Sequence, residues 1–560
     1  MDSQPRAART SGALEALTLV AVTVLAANFT RLGQFGLYED DYWSIAPHLS
    51  EPLSRLGSLA LHHFTHWPTG RPLNHLLPAV LSAVGSSLGG LTGVYVLSAA
   101  WLTLNGLLVY LAARRLISKP GALIASVLYL LFPADSTKLL LTHSAHVQGA
   151  MTFLLLGSWL WLLGGWRRAL SYPVAALSLL AYESAFLPFL VLPLFVPVER
   201  SRLLRAWGTH LGAIGLFVGL DAWARMVTGD SRALAAARQL GESVRRVVTS
   251  LWLGPMTSVT SLFRSSVAGL RALDPLAVLS AMVFVLALLT VIRGTSNCAE
   301  GAEAAGPSDA QPGLRWWRLL LAAMIAWSVS YALSIVNYPP TQTVGRLTSS
   351  HVAAGWPAAL GVGVLFEQLY GIGRVRRRLA LIVTAAWLAS LVGYQHELQR
   401  GYVRAWEEER RFWKELTVQA PDVGAGWAVI VIGPPRAGTP VILSTSWADH
   451  YAHRQIYTPG FDPAGPAFAH LGFQGSQIAF EHEGDSWRWR PEFWGGPWLH
   501  IDRSRLALFE DDHGTLRRVE ELQTSAGILR STAPLPTEAR TEWPDTPVSR
   551  LLFPEAVPLK

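Results

Sequence analysis

Three consecutive carboxylates, Glu39, Asp40 and Asp41, follow the first long apolar stretch of this chain. Adjacent carboxylates repel one another and lose hydration energy where water is scarce, so the cluster is costly unless it has a role. One carboxylate can accept a proton from a hydroxyl group, while its neighbour orients that group or binds a divalent cation. The alternative is a solvated acidic turn that caps the following helix.

The segment after the acids carries further polar side chains, which favours a functional role over a simple turn. They are His62, His63, His66, Trp67, Arg71 and His75. Zinc binding is an alternative for the histidines, but their spacing matches no familiar ligand pattern. We predict that His66 lines a cavity beside the acids.

Composition places most of the chain in a membrane. Of its 560 residues, 51% are hydrophobic and only 15% are charged, with a mean hydropathy of +0.29. Soluble domains carry about 25% charged residues. The net charge of +7 comes from short basic loops between apolar runs, which is typical of orientation signals and not of a nucleic-acid surface. The single cysteine, Cys298, excludes an intrachain disulfide framework.

Long apolar runs predict a polytopic α-helical fold with about eleven spans. The predicted spans lie near 12–30, 91–113, 120–134, 146–165, 170–182, 184–198, 207–225, 275–292, 318–336, 351–370 and 379–394. With a cytoplasmic N-terminus, the basic clusters alternate onto the cytoplasmic side, as the positive-inside rule requires. The basic clusters alternate in this way only if 170–198 is a hairpin of two short helices. The segment 73–89 must also lie on or dip into the outer surface.

Residues 1–394 therefore form a predicted membrane domain with a first outer loop at 31–90. Residues 395–560 are polar and predict an extracytoplasmic soluble domain, α/β or mostly β, attached through a helical stretch at 395–418. Its strand-like runs include 427–432 and 504–509, the second followed by turn residues that predict a hairpin. The cytoplasmic linker 294–313 is rich in Gly, Ala and Ser, which predicts disorder.

The outer segment 226–274 contains several arginines and allows two interpretations. A basic helix on the outer face can attract lipid phosphates or anionic glycans. Alternatively, its apolar part at 247–263 is a further span.

A late outer loop holds one basic residue, Arg346, against the orientation rule. Its guanidinium can clamp a phosphate with two parallel hydrogen bonds, or it can snorkel to the interface. Lys138, with His143 and His146, is predicted to line the same pocket or to form a surface salt bridge with Asp135. Glu183 lies between two apolar segments. An ionisable residue in such a position either has a functional role or lies at a hairpin turn in contact with water.

The acidic pair Asp40–Asp41 just after the first span, the long first outer loop and the outer C-terminal domain resemble the GT-C glycosyltransferases. The stretch from Thr69 to Leu73 is also similar to a recurrent first-loop sequence of bacterial members. That superfamily includes protein O-mannosyltransferases, aminoarabinose transferases and envelope mannosyl- and arabinosyltransferases. The resemblance covers 1–400 by architecture and only a few positions by motif.

The resemblance implies a hexosyl- or pentosyltransferase that uses a polyprenyl-phosphate sugar donor and an acceptor glycan, lipid or protein. It assigns the base to Asp40 or Asp41, with Glu39 as another register. Arg346, Lys138 and Arg71 are then predicted to bind the donor phosphate, and Glu183, His143 and His146 to line the cavity. Asp41 is a candidate ligand for Mg or Mn. The implied location is a bacterial inner membrane.

Two other function classes compete with transfer. A flippase or transporter for lipid-linked glycans also needs outer cavities and buried charges, but the chain has no paired broken-helix repeats. A polysaccharide polymerase is chemically close to the transferase.

Overall fold

The computed structural model describes most of the chain. The described residues are 6–67, 70–196, 203–228, 240–302, 316–333, 340–371, 373–433, 448–457, 467–471, 479–483, 486–490, 498–512, 515–524, 527–536 and 545–554. Thr69, part of the first-loop sequence named above, and the arginines at 232 and 238 lie outside them.

Helices dominate the structure as far as residue 419. They are α1 (Arg6–Asn28), α2 (Asp41–Ser44), α3 (Leu56–His66), α4 (Pro72–Ala113), α5 (Lys119–Leu131), α6 (Leu141–Leu163), α7 (Trp166–Ala181), α8 (Leu203–Val227), α9 (Leu240–Arg271), α10 (Pro275–Ala302), α11 (Trp316–Val329), α12 (Val352–Tyr370) and α13 (Arg374–Gln419). Short 3₁₀ segments include Glu183–Phe195 and Arg346–His351.

Six segments of the described chain are long and apolar enough to cross a membrane. They are Ala13–Gln34, Pro72–Ala113, Leu141–Leu163, Pro275–Arg293, Arg346–Tyr370 and Arg374–Gln419. A helix satisfies its own backbone hydrogen bonds, which is what lipid requires of a spanning segment. The predicted multi-pass helical architecture is therefore confirmed, whereas the count of eleven spans stays a prediction.

The predicted hairpin at 170–198 differs from expectation in its second half. Tyr182 breaks the helical conformation after α7, and Glu183–Phe195 is a 3₁₀ helix rather than an α-helix. Pro188 and Pro193 supply no backbone N–H and clash with a regular α-helical turn, which accounts for the difference.

Helix α4 folds back on itself, so the predicted outer segment 73–89 joins directly to the span that follows it. Gly89 and Gly90 interrupt the helix, and Gly90 has a φ of +59°, which favours glycine. A Cβ on Gly93 would overlap the carbonyl oxygen of Gly85, so the two halves pack backbone to backbone there.

The two ends of the bundle are marked by separate ion pairs. At one end, Lys119 at the start of α5 contacts Glu15 of α1 at 2.7 Å. At the other, Asp274 before α10 contacts both Arg31, after α1, and Arg400 in α13. The second end also holds the acid cluster, and we call it the site end.

Beyond the site end, α13 runs without a break to Gln419 and leads into small sheets. These use β1 (Ala428–Ile432), β2 (Ala467–Leu471), β3 (Ala479–Glu483), β4 (Ser486–Arg490), β5 (Leu499–Ile501), β6 (Leu506–Asp512), β7 (Thr515–Val519), β8 (Glu521–Thr524) and β9 (Gly527–Arg530). The strand orders are β2-β1-β6-β7, β3-β4-β5 and β8-β9. Strand β1 is parallel to β2 and β6, and β6 pairs antiparallel with β7 as the predicted hairpin.

Among the described residues, this C-terminal region also contains two short helices, α14 (Ala448–Tyr457) and α15 (Pro547–Leu552). Helix α14 lies on the acid cluster, where the Gln455 side chain donates a hydrogen bond to the Tyr42 carbonyl at 2.9 Å. In the predicted linker, α10 continues to Ala302, and 303–315 lie outside the described residues.

Candidate functional site

Arg346 and Asp40 form the centre of the site. The guanidinium contacts both carboxylate oxygens, at 3.1 Å from Nη1 to Oδ1 and 2.8 Å from Nη2 to Oδ2. Both side chains are largely buried, with 19% of Arg346 and 12% of Asp40 exposed. Two parallel charge-assisted hydrogen bonds fix direction as well as distance. Residues 306 positions apart in the sequence thus meet in one pair.

The loop that carries Arg346 is anchored to a second loop. Gly345, with a φ of +89°, turns the chain into the 3₁₀ segment. Its N–H donates to the Ser136 hydroxyl at 2.9 Å, and the Ser136 N–H donates to the Thr348 hydroxyl at 3.0 Å. On the other side, Tyr402 of α13 donates to the Ser136 carbonyl at 2.8 Å. These bonds hold Arg346 in position without engaging its guanidinium.

Glu39 places a second carboxylate beside the guanidinium of Arg346. Its Oε2 lies 3.6 Å from Arg346 Nη1, and its side chain is 2% exposed. The residue has a φ of +45°, a left-handed conformation that costs energy for any residue with a Cβ. The surrounding structure therefore holds Glu39 against its backbone preference, and the held conformation places it beside Arg346.

Asp41 faces away from this pair and is fully buried. One oxygen accepts hydrogen bonds from the N–H and the hydroxyl of Thr142, both at 2.7 Å, and the other accepts from the Tyr38 N–H at 3.2 Å. Burial raises the pKa of Asp41 from 3.8 to about 7, and the nearby charge of Asp40 adds to the increase. Asp41 therefore binds the first turn of α6, which differs from the alternative of a solvated turn that caps the following helix, since Asp41 is buried and α2 has no side-chain cap.

A divalent cation does not fit this arrangement. The oxygens of Asp41 already accept three hydrogen bonds, and the positive guanidinium of Arg346 lies on Asp40 and Glu39. In the part of the chain that the structure describes, no group of three or more His, Cys, Asp or Glu side chains is placed to hold a metal ion. The metal expected from the sequence is therefore assigned no ligand, and no step below depends on it.

Lys138 points back into its own loop. Its ammonium donates to the carbonyls of Phe132, at 2.9 Å, and Asp135, at 3.3 Å. The Asp135 carboxylate accepts instead from the N–H and hydroxyl of Thr137. Burial lowers the pKa of Lys138 to about 8, against the opposing charge of Asp135. The arrangement differs from both alternatives, a phosphate ligand and a surface salt bridge, because the ammonium is buried on backbone carbonyls.

Arg71 and Glu183 form an ion pair elsewhere at the site end. Arg225, at the end of α8, lies 3.9 Å from the same carboxylate and 2.8 Å from Asp221. The guanidinium of Arg71 also lies 5.2 Å from the ring centre of Tyr182. Glu183 is thus a partly buried bridge between two arginines, and α4, α7 and α8 meet at this part of the site end.

The histidines separate into two groups. His143 and His146, in the first turns of α6, are buried beside the site: Asp40 and Arg346 act electrostatically on His143, and the Ser44 hydroxyl lies 3.5 Å from His146 Nε2. His66 lies on an exposed face of α3, apart from the buried His143 and His146, and its place in the cavity stays a prediction. It follows His62 by one helical turn, so the two rings share one exposed face of α3.

Several residues of the site were not singled out from the sequence. Thr142 and Arg225 are examples. One sequence feature could have identified Arg225, namely a basic residue at the end of an apolar run. Thr142 gave none, because a threonine before a span is common and its acceptor, Asp41, is 101 residues away.

Comparisons with known proteins add little to this geometry. No protein-family model matches the chain, and no curated protein matches it. Among solved structures, the chain is similar to an oligosaccharyltransferase of Archaeoglobus fulgidus in its apo form, with 14% sequence identity and a TM-score of 0.38. The similarity covers 75% of this chain and 62% of that one. At this level the likeness carries no conclusion about activity.

Proposed function

We propose that this chain is a membrane glycosyltransferase that moves a sugar from a polyprenyl-phosphate donor to a hydroxyl of an acceptor glycan, lipid or protein. The observation that carries the proposal is the paired contact of Arg346 with Asp40 at one end of an apolar bundle. A guanidinium binds phosphate oxygens with the same fork that it uses for a carboxylate. A donor phosphate can therefore take the place that Asp40 has on Arg346.

Asp40 is the proposed general base. When it accepts the proton of the acceptor hydroxyl, the oxygen bonds to the anomeric carbon and the bond from that carbon to the phosphate oxygen breaks. Negative charge then grows on the departing phosphate, where Arg346 stabilises it. A single displacement of this kind inverts the anomeric centre. Asp41 is not assigned the base role, because its oxygens are buried on Thr142 and Tyr38.

An apolar groove offers a place for the lipid part of the donor. It lies between α9 and α11, has a volume of about 310 Å³ and is lined by residues that include Met256, Val259, Met324 and Trp327. Ser258 and Tyr331, close in sequence to these residues, bond to His351 at the end of the segment that begins with Arg346. A polyprenyl chain in the groove would thus lead towards the phosphate site.

The test is transfer by purified protein from a radiolabelled polyprenyl-phosphate sugar. We expect sugar to leave the lipid, and Asp40→Asn to reduce the rate by about 10²–10⁴-fold, the usual contribution of a general base. Asp545→Asn is the matched control, because Asp545 forms a similar paired contact with Arg550 on the exposed C-terminal region. Movement of the intact labelled lipid across a vesicle membrane without sugar release would instead indicate a flippase.

A further inference from the structure

A row of histidines runs from the candidate base to the surface of the protein. We define the histidine row as His143, His146, His75, His63 and His62, from α6 through α4 to α3. Asp41, next to Asp40, bonds to Thr142, next to His143, and His143 and His146 are neighbours three residues apart in α6. The Ser44 hydroxyl lies 3.5 Å from His146 Nε2, and the adjacent Trp43 ring lies 5.8 Å from that of His75. The ring centres of His63 and His75 are 5.7 Å apart, and those of His62 and His63 are 5.6 Å apart. His62 is exposed and stacks on the exposed His66 at 4.2 Å.

We propose that the histidine row carries the proton that Asp40 removes from the acceptor out to water. This inference rests on the proposed function. Asp40 must lose its proton before the next turnover, and only 12% of its side chain is exposed. A lipid-linked donor bound on Arg346 would cover that opening further. A proton route through the protein would therefore allow Asp40 to lose its proton between turnovers.

Imidazole rings are suited to this task, because one nitrogen can accept a proton while the other releases one. In the described part of the chain, both ring nitrogens of His63 and Nδ1 of His143 are buried and have no hydrogen-bond partner. Because these nitrogens do not bond to each other, a ring spacing of 5.6 to 5.7 Å requires one bridging water for transfer between neighbouring rings. A zinc site is the competing use, but no cluster among the described residues is placed to hold a metal.

The charges around the row favour neutral rings at rest. Burial lowers the pKa of His63, and the neighbouring His62 and His48 lower it further. Arg346 faces His143, and Arg71 faces His146. Positive neighbours disfavour a lasting imidazolium, so a proton placed on the row moves on towards the exposed end.

The proton balance closes without any other reactant. The Asp40 carboxyl group gives its proton to a nitrogen of His143, and each ring passes on the proton of its other nitrogen. His62 releases a proton to water, and a reorientation of the rings resets the row. Nothing is oxidised or reduced.

The test uses the full-length protein and separates the first turnover from later ones. In His75→Ala and His63→Ala, the first transfer should keep its rate because Asp40 is unchanged, whereas steady-state kcat in weak buffer should fall about tenfold or more. The KM for the donor should fall in proportion to kcat, so that kcat/KM is unchanged. Added imidazole should restore kcat, because a small base can replace the missing ring. His500→Ala, an exposed histidine on β5, is the control and should behave like the unaltered protein.

The outcomes distinguish this inference from the proposed function. If the unaltered protein transfers no sugar, the proposed function fails and the row has no proton to carry. If the unaltered protein is active and both variants keep their steady-state kcat, the relay alone is overturned. A loss that imidazole does not restore also overturns it, since that result indicates a structural role. His63→Ala, on the partly exposed α3, decides the question if His75→Ala does not fold.

Discussion

Arg346 holds Asp40 by two hydrogen bonds, so the candidate base is neutralised by the residue proposed to bind the donor. An ion-paired carboxylate is a weak proton acceptor, because the nearby positive charge favours its ionised form. A phosphate that competes for Arg346 would release Asp40. Under the proposed function, the pair would therefore couple donor binding to activation of the base.

The first prediction is an ordered mechanism with the donor bound before the acceptor. Steady-state kinetics with both substrates varied, and with polyprenyl phosphate as product inhibitor, would measure the order. Arg346→Ala should raise the KM for the donor about 10- to 100-fold, which corresponds to the loss of one charged hydrogen-bonded contact. Arg346→Lys should recover only part of this loss, because an ammonium lacks the planar fork. Random binding order, or an unchanged donor KM in Arg346→Ala, would reject the coupling.

The second prediction concerns Asp41 and pH. Its pKa is about 7 in the folded chain and 3.8 in the unfolded one, so between these values the folded state holds a proton that the unfolded state has lost. The contribution of Asp41 to stability therefore decreases as pH rises from about 4 to about 7, and stays level above that. Asp41→Asn should lack this decrease. Thermal unfolding in detergent from pH 4.5 to 7.5 would measure it, with Asp545→Asn as an exposed control. Parallel curves for unaltered protein and Asp41→Asn would contradict the prediction.

The sequence predicted the helical membrane architecture because apolar periodicity and length are local properties. It also predicted strand β1 and the β6–β7 hairpin, whose patterns are contained within a few residues. The second half of the 170–198 hairpin differs from a regular α-helix, because the prolines at 188 and 193 lack the backbone N–H that such a helix needs.

The division of roles among the acids could not be read from the sequence. Asp40 and Asp41 are adjacent and chemically identical, and what distinguishes them is a partner far away in the chain. Arg346 meets one of them and Thr142 the other. Such long-range contacts depend on how the helices pack, and no local pattern encodes them. Lys138 is a different case, because its partners are carbonyls three and six residues before it in its own loop.

The third prediction is that Lys138 supports its loop and does not bind the donor. Lys138→Met should leave the donor KM within about twofold, since the ammonium is already bonded to two carbonyls. Its pKa of about 8 is below the ordinary 10.5, so the unaltered protein should gain stability as pH rises from about 8 to 10.5. Lys138→Met should lack that gain in thermal unfolding. If Lys138→Met raised the donor KM as strongly as Arg346→Ala, the result would indicate that Lys138 binds the donor phosphate.

The fourth prediction is that transfer does not need a divalent cation. Arg346 supplies positive charge beside Asp40 and Glu39, and Asp41 has its oxygens occupied by N–H and O–H donors. Incubation with EDTA, followed by assay in metal-free buffer, should leave the transfer rate unchanged, and added Mg or Mn should not increase it. A rate lost with EDTA and restored by Mg or Mn would favour Asp41 as a ligand and a different arrangement of the acids during turnover.

The fifth prediction is that the site end faces away from the cytoplasm in a bacterial inner membrane. Basic residues such as Arg114, Lys119 and Arg376 lie at the opposite end, and the positive-inside rule places those in the cytoplasm. The chain's only cysteine, Cys298, should react with a membrane-impermeant maleimide only after the cells are permeabilised. In a Cys298→Ser background, Arg517→Cys, at an exposed position of β7, should react in cells whose inner membrane is intact. Cys298→Ser alone is the control for background labelling, and the reverse pattern would place the site in the cytoplasm, where a donor on the outer leaflet could not reach Arg346.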